Sequence, residues 1–410
     1  MVYKGHDSWD TTEIKNTNLL AFTSQLLGKT RVINIPESAE YSFQDTLNVL
    51  LHAATSTTNS VESASNDLRM KTPYKNVPSG DSIHGYINTN SIDYIMSSFR
   101  LINREIIQIA KLKGTCHDAA IDFHDIPYYG DKNTLGVRGI KPKNGTSWGH
   151  SFCSLDIIGE TKLTLDVIDI NGLEKNYRIL IESMLQRVKA MEINIKTLFM
   201  DREFFNSATI STLHTPTQNY IIAAKSNKKI NAILLEHKKK FGQTSTVFEY
   251  QFEIGGPKFN IVAIINPNFD PKEKKDKGNH EFYLFATNIA VDIASDIWKK
   301  IPEEYRKRWN IETGYRLKNA FKIRTCSISP IARSLFFIIQ CLLYNIESLL
   351  KQVIEIDAYK LKSAISDAIA MVIKQGYKSL FIISVQNFMK SLWDYNENRT
   401  KELRDLLRVN

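Results

Sequence analysis

The sequence predicts an α/β protein, and three observations predict it. Two runs of alternating apolar residues, His150 to Ile158 and Lys162 to Ile170, are separated only by Gly159-Glu160-Thr161, which is how two antiparallel strands and their turn read. Two short apolar runs elsewhere, at Ala119 to Ile121 and Ile195 to Met200, each lead into an aspartate. Long stretches at both ends of the chain carry helical rather than strand periodicity. A chain of 410 residues is long for one core, so two or three domains are expected.

Residues 1 to about 114 show few strand signals and mixed helical patterns, and they are expected to form a helical N-terminal region. Thr55 to Ser65 is rich in Ser, Thr and Asn and marks a turn, and Lys71 to Lys75 and Pro78-Ser79-Gly80 mark further loops. The first strand ends at Asp122, and the hairpin of the two alternating runs follows it. Asn171-Gly172 breaks the chain before a helical pattern from about Tyr177 to Met191, with Ile179, Leu180, Met184, Leu185 and Val188 on one face. The strand Ile195 to Met200 then ends at Asp201, a short helix starts near Glu203, and Tyr220 to Ala224 reads as a further strand. Between about 226 and 286 lie three more strand-like runs, Thr246 to Ile254, Lys258 to Ile265 and Glu281 to Ala286, which read as a β-rich insertion. Its charged segment Lys272 to Lys277 reads as a solvated hairpin tip. From about Pro330 the pattern is helical again and forms an expected C-terminal tail, 331–410. Its longest apolar run, Leu335 to Leu343, is too short to span a bilayer and reads as a buried helix.

The chemistry concentrates in Ile301 to Thr325. Tyr305, Arg308, Trp309, Glu312, Arg316 and Asn319 fall at i, i+3, i+4, i+7, i+11 and i+14, one face of a helix of ~3.6 residues per turn. A core-facing stripe would be apolar, and this one is not. Such a face suits a phosphodiester with metal ions: a guanidinium grips phosphate, a phenol bonds a phosphate oxygen, and a carboxylate ligates Mg²⁺. Charge pattern alone equally admits a solvated helix with ion pairs such as Arg308 to Glu312. Asp122 and Asp201 favour the first reading. A carboxylate closing an apolar strand costs desolvation free energy that a divalent cation offsets. Asp125 is the alternative first acid, three residues on, but Asp122 follows the unbroken Ala119-Ala120-Ile121.

Strand, strand, strand, helix, strand, helix, strand is the order of an RNase H-like core, in which the first and fourth strands lie side by side. That would bring Asp122 beside Asp201. With Tyr305, Arg308 and Glu312 matching the pattern Tyr-x2-Arg-x3-Glu-x6-Lys, and with the words IDFHDIPYYG and DREFF around the two aspartates, residues 115–330 resemble the DDE transposases of prokaryotic insertion sequences, in particular insertion-sequence family four. One slot departs from the pattern, since Asn319 stands where the family has lysine. Lys318 lies about 120° around the helix from Glu312, and Arg316 and Lys322 are the other basic candidates.

The resemblance implies a metal-dependent endonuclease and strand-transfer enzyme. Asp122, Asp201 and Glu312 would be the catalytic acids holding two Mg²⁺ ions, with Mn²⁺ as a substitute. Tyr305, Arg308, Arg316, Lys318 and Lys322 would contact DNA. The implied partners are double-stranded DNA, as terminal inverted repeats and target, and a second protomer in a homodimeric synaptic complex. The N-terminal region would bind the transposon end, although a structural helical cap fits the sequence as well. The implied location is the prokaryotic cytoplasm, on the nucleoid. Two other readings remain: a non-catalytic DNA-binding transposase remnant, and an RNase H-like structure-selective nuclease that cuts without joining.

A formal charge of +9 agrees with an anionic partner, and Lys299, Lys300, Arg306, Lys307, Lys322 and Arg324 crowd the third acid. Four widely spaced cysteines make no CxxC pair, so neither a zinc finger nor a disulfide framework is indicated. MVYKGHDSWD lacks the apolar core of a signal peptide, and no membrane association is expected. His150 and Cys153 read as packing residues, and His124 as a hydrogen bonder behind the first acid. Asp166 and Asp169 read as solvent-exposed or turn residues.

Overall fold

The structure is a computed structural model, and it describes residues 16–73, 75–170, 176–215, 218–270, 272, 280–290, 296–354 and 356–375. Among the described residues five helices come first: α1 (Asn16–Lys29), α2 (Phe43–Thr55), α3 (Val61–Lys71), α4 (Gly80–Asn88) and α5 (Ile92–Ile109). Serines start four of them. The side chains of Ser42, Ser60, Ser79 and Ser91 each accept a backbone N–H from the first turn, satisfying donors that a helix leaves without partners.

The strands β1 (Cys116–Pro127), β2 (Arg138–Lys143), β3 (Thr146–Ile158) and β4 (Lys162–Asp169) follow, then α6 (Tyr177–Ala190), β5 (Asn194–Met200), α7 (Ser207–Leu213) and β6 (Asn219–Ala223). β3 pairs antiparallel with both β1 and β4, while β5 is parallel to β1 and β6 parallel to β5. The order β4-β3-β1-β5-β6 is the RNase H-like core that the sequence predicts. β2 was not legible, because RGIKPK is exposed, lysine-rich and without alternation; it pairs with the start of β3.

The region expected as a β-rich insertion holds α8 (Lys228–Phe241), β7 (Thr246–Tyr250), β8 (Phe259–Ile265) and β9 (Phe282–Thr287). These strands do not stand apart. β9 pairs antiparallel with β6, β8 with β9 and β7 with β8, so the core sheet simply widens. α8 buries only Ile230 and Leu234, too thin a stripe to stand out in a lysine-rich segment. Of the charged loop 272–277, only Lys272 is among the described residues.

The catalytic-type segment forms α9 (Ile301–Arg306) and α10 (Trp309–Lys318), followed by a 3₁₀ turn, Asn319–Phe321. The single helix expected here is therefore broken at Lys307-Arg308. Last come α11 (Pro330–Ile354) and α12 (Ala358–Gln375). α11 packs on α4, α5 and β4, and α12 packs on α1 and α2, so the described N-terminal and C-terminal helices pack against one another. By length and composition α11 could cross a membrane over Pro330–Gln352, but nearly all of that span is buried inside the protein. The rest of the expected C-terminal tail, 376–410, lies outside the described residues.

The sheet has two distinct faces. Ile121, Phe123, Leu198 and Met200 join the large core, where Phe123 stacks on Phe204 at 4.9 Å. Ala120, Phe199 and Ile221 face the other way, against Trp298, in the 3₁₀ turn just before α9, and against Ile301 of α9 and Ile311 of α10. Asp122 and Asp201 continue this second face by strand alternation.

Candidate active site

Asp122 sits within β1 directly after the fully buried Ala119, Ala120 and Ile121. The parallel register pairs Ile121 with Met200, so Asp122 and Asp201 follow paired residues and share a face. The Asp122 carboxylate accepts the Phe123 backbone N–H at 3.0 Å. Burial and then the charge of Asp201 push it up to about 7, against the opposing pull of Arg308. Asp201 caps the 3₁₀ turn Arg202–Phe204, accepting the Glu203 N–H at 2.8 Å. Its other oxygen lies 3.9 Å from the Lys141 ammonium, which also stands 3.4 Å from Glu203. Lys141 carries no local sequence signal, because it belongs to the exposed strand β2.

Glu312 lies in the first turn of α10 with its side chain 55% exposed, and it accepts from Arg308 Nη2 at 2.7 Å. Arg308 is itself nearly enclosed, and its Nη1 stands 3.7 Å from Asp122. One guanidinium thus bridges the first and third acids, while its Nε is buried with no hydrogen-bond partner among the described residues. Tyr305 donates to the Met200 carbonyl at 3.1 Å and lays its ring 5.1 Å from Phe285. Its hydroxyl therefore fastens α9 to the end of β5, beside Asp201, instead of pointing out as a free phosphate donor.

Among the described residues no group of three His, Cys, Asp or Glu is spaced to enclose a cation, and Arg308 stands between Asp122 and Glu312. The residues nevertheless fit a divalent ion. The acids offer only oxygen donors, as a hard cation requires, and a cation already occupies the space between two of them. Asp122, held high by burial and a neighbouring carboxylate, is a group that a metal ion would relieve.

The other expected site residues separate. Asp125 points to the opposite face from Asp122 and accepts from Ser151 Oγ at 2.6 Å, so it is not beside Asp201. Arg316 is exposed on α10 and reaches Thr313. Lys322 is half-buried in a basic cluster; burial first, and then Lys143, Arg324 and Arg333, lower its pKa. Lys318 must be corrected as a DNA contact. It is fully buried and donates to Asp156 at 2.5 Å, with no path to a phosphate. Asn319, in the lysine slot, is exposed and is bonded by Gln340 at 3.4 Å.

His124 is buried between the rings of Tyr315 and Phe337, and burial depresses its pKa to about 3. It is a neutral packing group. His150 and Cys153 are buried as expected, and His150 has no hydrogen-bond partner among the described residues. Asp166 and Asp169 are not solvent-exposed. Asp166 is buried against Arg187 at 2.7 Å and Arg100 at 3.4 Å, and Asp169 accepts from Ser334 Oγ.

A groove of about 1160 Å³ opens from Asp201 and Arg308 across β6 and β9. Lys225, Lys238 and Arg306 line it, together with Tyr283 and Trp309, both of which are exposed. Cations and aromatic faces beside an acidic cluster suit a nucleic-acid strand.

Comparison with known proteins agrees. A search of curated protein sequences gives no match. The cryo-EM structure of a piggyBac transposase synaptic complex with hairpin DNA is similar at a TM-score of 0.57 and 11% identity, covering 91% of this chain and 82% of that one, a likeness of fold. The family model of the transposase DDE domain matches residues 120–346, which spans β1 with Asp122, β5 with its following Asp201, and α10 with Glu312. The chain therefore belongs to the transposase DDE domain family, enzymes that cleave DNA and transfer strands with the help of divalent metal ions.

Proposed function

We propose that Asp122, Asp201 and Glu312 are the metal-holding acids, and that the enzyme moves an insertion sequence of the family-four type by cutting and rejoining DNA at its terminal inverted repeats. The observation that carries this reading is the parallel pairing of Ile121 with Met200, which sets two carboxylates side by side beneath a helix bearing the third. Two Mg²⁺ ions, replaceable by Mn²⁺, would activate the attacking water or 3′-hydroxyl and stabilise the leaving oxygen.

The protein residues supply positioning and charge. Arg308 reaches both Asp122 and Glu312, and its guanidinium would grip a phosphate oxygen beside the scissile bond. Tyr305, tied to the Met200 carbonyl, fixes the start of the α9–α10 segment over β5. Arg316 and Lys322 offer further cationic contacts to the duplex, and Lys141 screens Asp201 until a metal ion arrives. No covalent protein–DNA intermediate is required, because in-line phosphoryl transfer depends on positioning and charge stabilisation.

Two ends must be joined in concert and each site holds one scissile phosphate, so the working unit is a homodimer on paired ends. The prokaryotic cytoplasm, on the nucleoid, is the setting this element type implies. Leu335 to Leu350 of α11 cannot be the pairing surface, since its apolar residues are buried within the protomer. The test is an in vitro reaction with supercoiled DNA carrying the element's ends, Mg²⁺ and purified protein. Excision and joining to a target support the reading, and cutting without joining overturns it in favour of a nuclease.

A further inference from the structure

Two charges lie buried behind the active-site helix, and neither faces DNA. Lys318 and Asp156 are 0% and 3% exposed, and the ammonium meets the carboxylate at 2.5 Å. Asp156 also accepts from Thr164 Oγ1 and from Ser154 Oγ, each at 2.6 Å. Ser154 Oγ in turn bonds the Tyr315 hydroxyl at 3.0 Å. The ammonium rests over the rings of Tyr315 at 4.7 Å and Tyr344 at 5.4 Å. Every carboxylate oxygen of Asp156 is thus used, and the cation is enclosed by π faces.

The position of this network relative to the acids gives it a role. Lys318 and Tyr315 belong to α10, the helix of Glu312. Ser154 is the cross-strand partner of Asp122, and Asp156 is the partner of Ala120. The Tyr315 ring also packs 4.8 Å from His124, two residues beyond Asp122 on the same face. One buried network therefore holds the helix of the third acid against the two strands that carry and flank the first. Besides this network α10 is held by Asn310, which donates to the Ile158 carbonyl at 2.9 Å, and by Ile311 in the second core, while its N-terminus lacks a side-chain cap. Gly314 adds to the fit, since a Cβ there would stand 3.2 Å from the Tyr344 hydroxyl.

We infer that the buried Lys318–Asp156 pair, linked through Ser154 to Tyr315, is a positioning strut that sets the separation of Asp122 and Glu312 and hence the affinity of the site for divalent metal. The inference rests on those two residues being metal ligands. A buried ion pair replaced by neutral residues of similar size leaves stability nearly unchanged, whereas removing one partner leaves an uncompensated charge. Stability and positioning can therefore be separated.

The experiment compares wild type, Lys318→Met, the double variant Lys318→Met/Asp156→Asn, Tyr315→Phe and Glu312→Gln, all in the full chain. Melting temperature, Mn²⁺ binding by electron paramagnetic resonance without DNA, and cleavage of end-sequence DNA are measured for each. Lys318→Met is expected to melt lower. The double variant is expected to regain the wild-type melting temperature while binding Mn²⁺ about 10-fold more weakly and needing correspondingly more metal to cut, the size of effect that groups behind metal ligands have. Tyr315→Phe, which removes only the hydroxyl on Ser154, is expected to weaken Mn²⁺ binding without lowering the melting temperature, and it carries the test if the double variant does not fold. Wild-type Mn²⁺ binding in either folded variant overturns the strut. Normal cutting and Mn²⁺ binding by Glu312→Gln would instead overturn the metal-ligand reading.

Discussion

Asp122 and Asp201 lie side by side because Ile121 and Met200 are parallel partners, each the last apolar residue before its carboxylate. Two like charges so placed raise one another's cost, and Asp122 shows it in a pKa pushed up to about 7 by burial and by Asp201. A bound divalent cation would offset that cost, which is why the pair is the proposed metal site.

Replacing Asp122, Asp201 or Glu312 singly with Ala should lower cleavage by at least ~100-fold, the lower range for a lost group that acts in the transition state. Binding of end DNA should persist, since removing a negative charge does not weaken attraction to phosphate. Asp125→Ala should still cut, because its carboxylate faces the other side of the sheet and serves Ser151. Cleavage and gel-shift assays on the four variants check this. An inactive Asp125→Ala with an active Asp122→Ala would reverse the assignment.

Arg308→Ala tests the bridging guanidinium. Glu312 is more than half exposed, so the loss of their ion pair should cost no more than about 1 kcal/mol of stability. Cleavage should fall much further, because a phosphate donor aimed beside two acids is lost. Arg308→Lys should recover little, since an ammonium cannot reproduce the planar fork that reaches Asp122 and Glu312 together. Paired thermal melts and single-turnover rates decide the matter, and normal cutting with a large loss of melting temperature would make Arg308 a structural residue.

Much of this site could be read in the sequence because its parts are local: apolar runs leading into Asp122 and Asp201, and Tyr305, Arg308 and Glu312 at fixed spacing. What could not be read depends on partners far along the chain. Lys318 looked like a surface cation from its neighbours, and only the fold shows that Asp156, on β3, draws it inside. Asp166 looked exposed for the same reason, since Arg100 and Arg187 are what bury it. Tyr305 reads as a phosphate donor in the sequence because nothing local reveals the Met200 carbonyl. β2 and α8 carry too few buried residues to impose a period. The fusion of β7 to β9 with the core sheet is a question of register, which alternation within each strand leaves open.

Glu347 should make stability fall as pH rises toward neutrality. It lies buried on α11, and burial, partly opposed by Lys351, lifts its pKa from 4.5 to about 7. A carboxyl whose folded pKa exceeds its unfolded one binds more protons when folded, so the penalty is absent below pH 4.5, grows between 4.5 and about 7, and is complete above. Glu347→Gln removes the ionisation and should raise the melting temperature at pH 8 while changing it little at pH 4.5. Equal effects at both values would show that the group stays at its ordinary pKa.

The groove beyond Asp201 should bind the DNA strand that runs away from the cut. Lys225 and Arg306 are exposed on its walls, and Trp309, 62% exposed, presents an indole face at the point where the groove meets Arg308. An exposed indole beside cations is a face on which a base can stack. Lys225→Ala and Arg306→Ala should each weaken binding of end DNA and lower the slope of log affinity against log salt by about 1, as expected for one lost phosphate contact. Trp309→Ala should weaken binding while leaving that slope unchanged, because stacking releases no counterion. Titrations of labelled duplex at several salt concentrations separate the two. A Trp309→Ala protein that binds as wild type, with the lysine and arginine variants also unchanged, would exclude the groove as a DNA path.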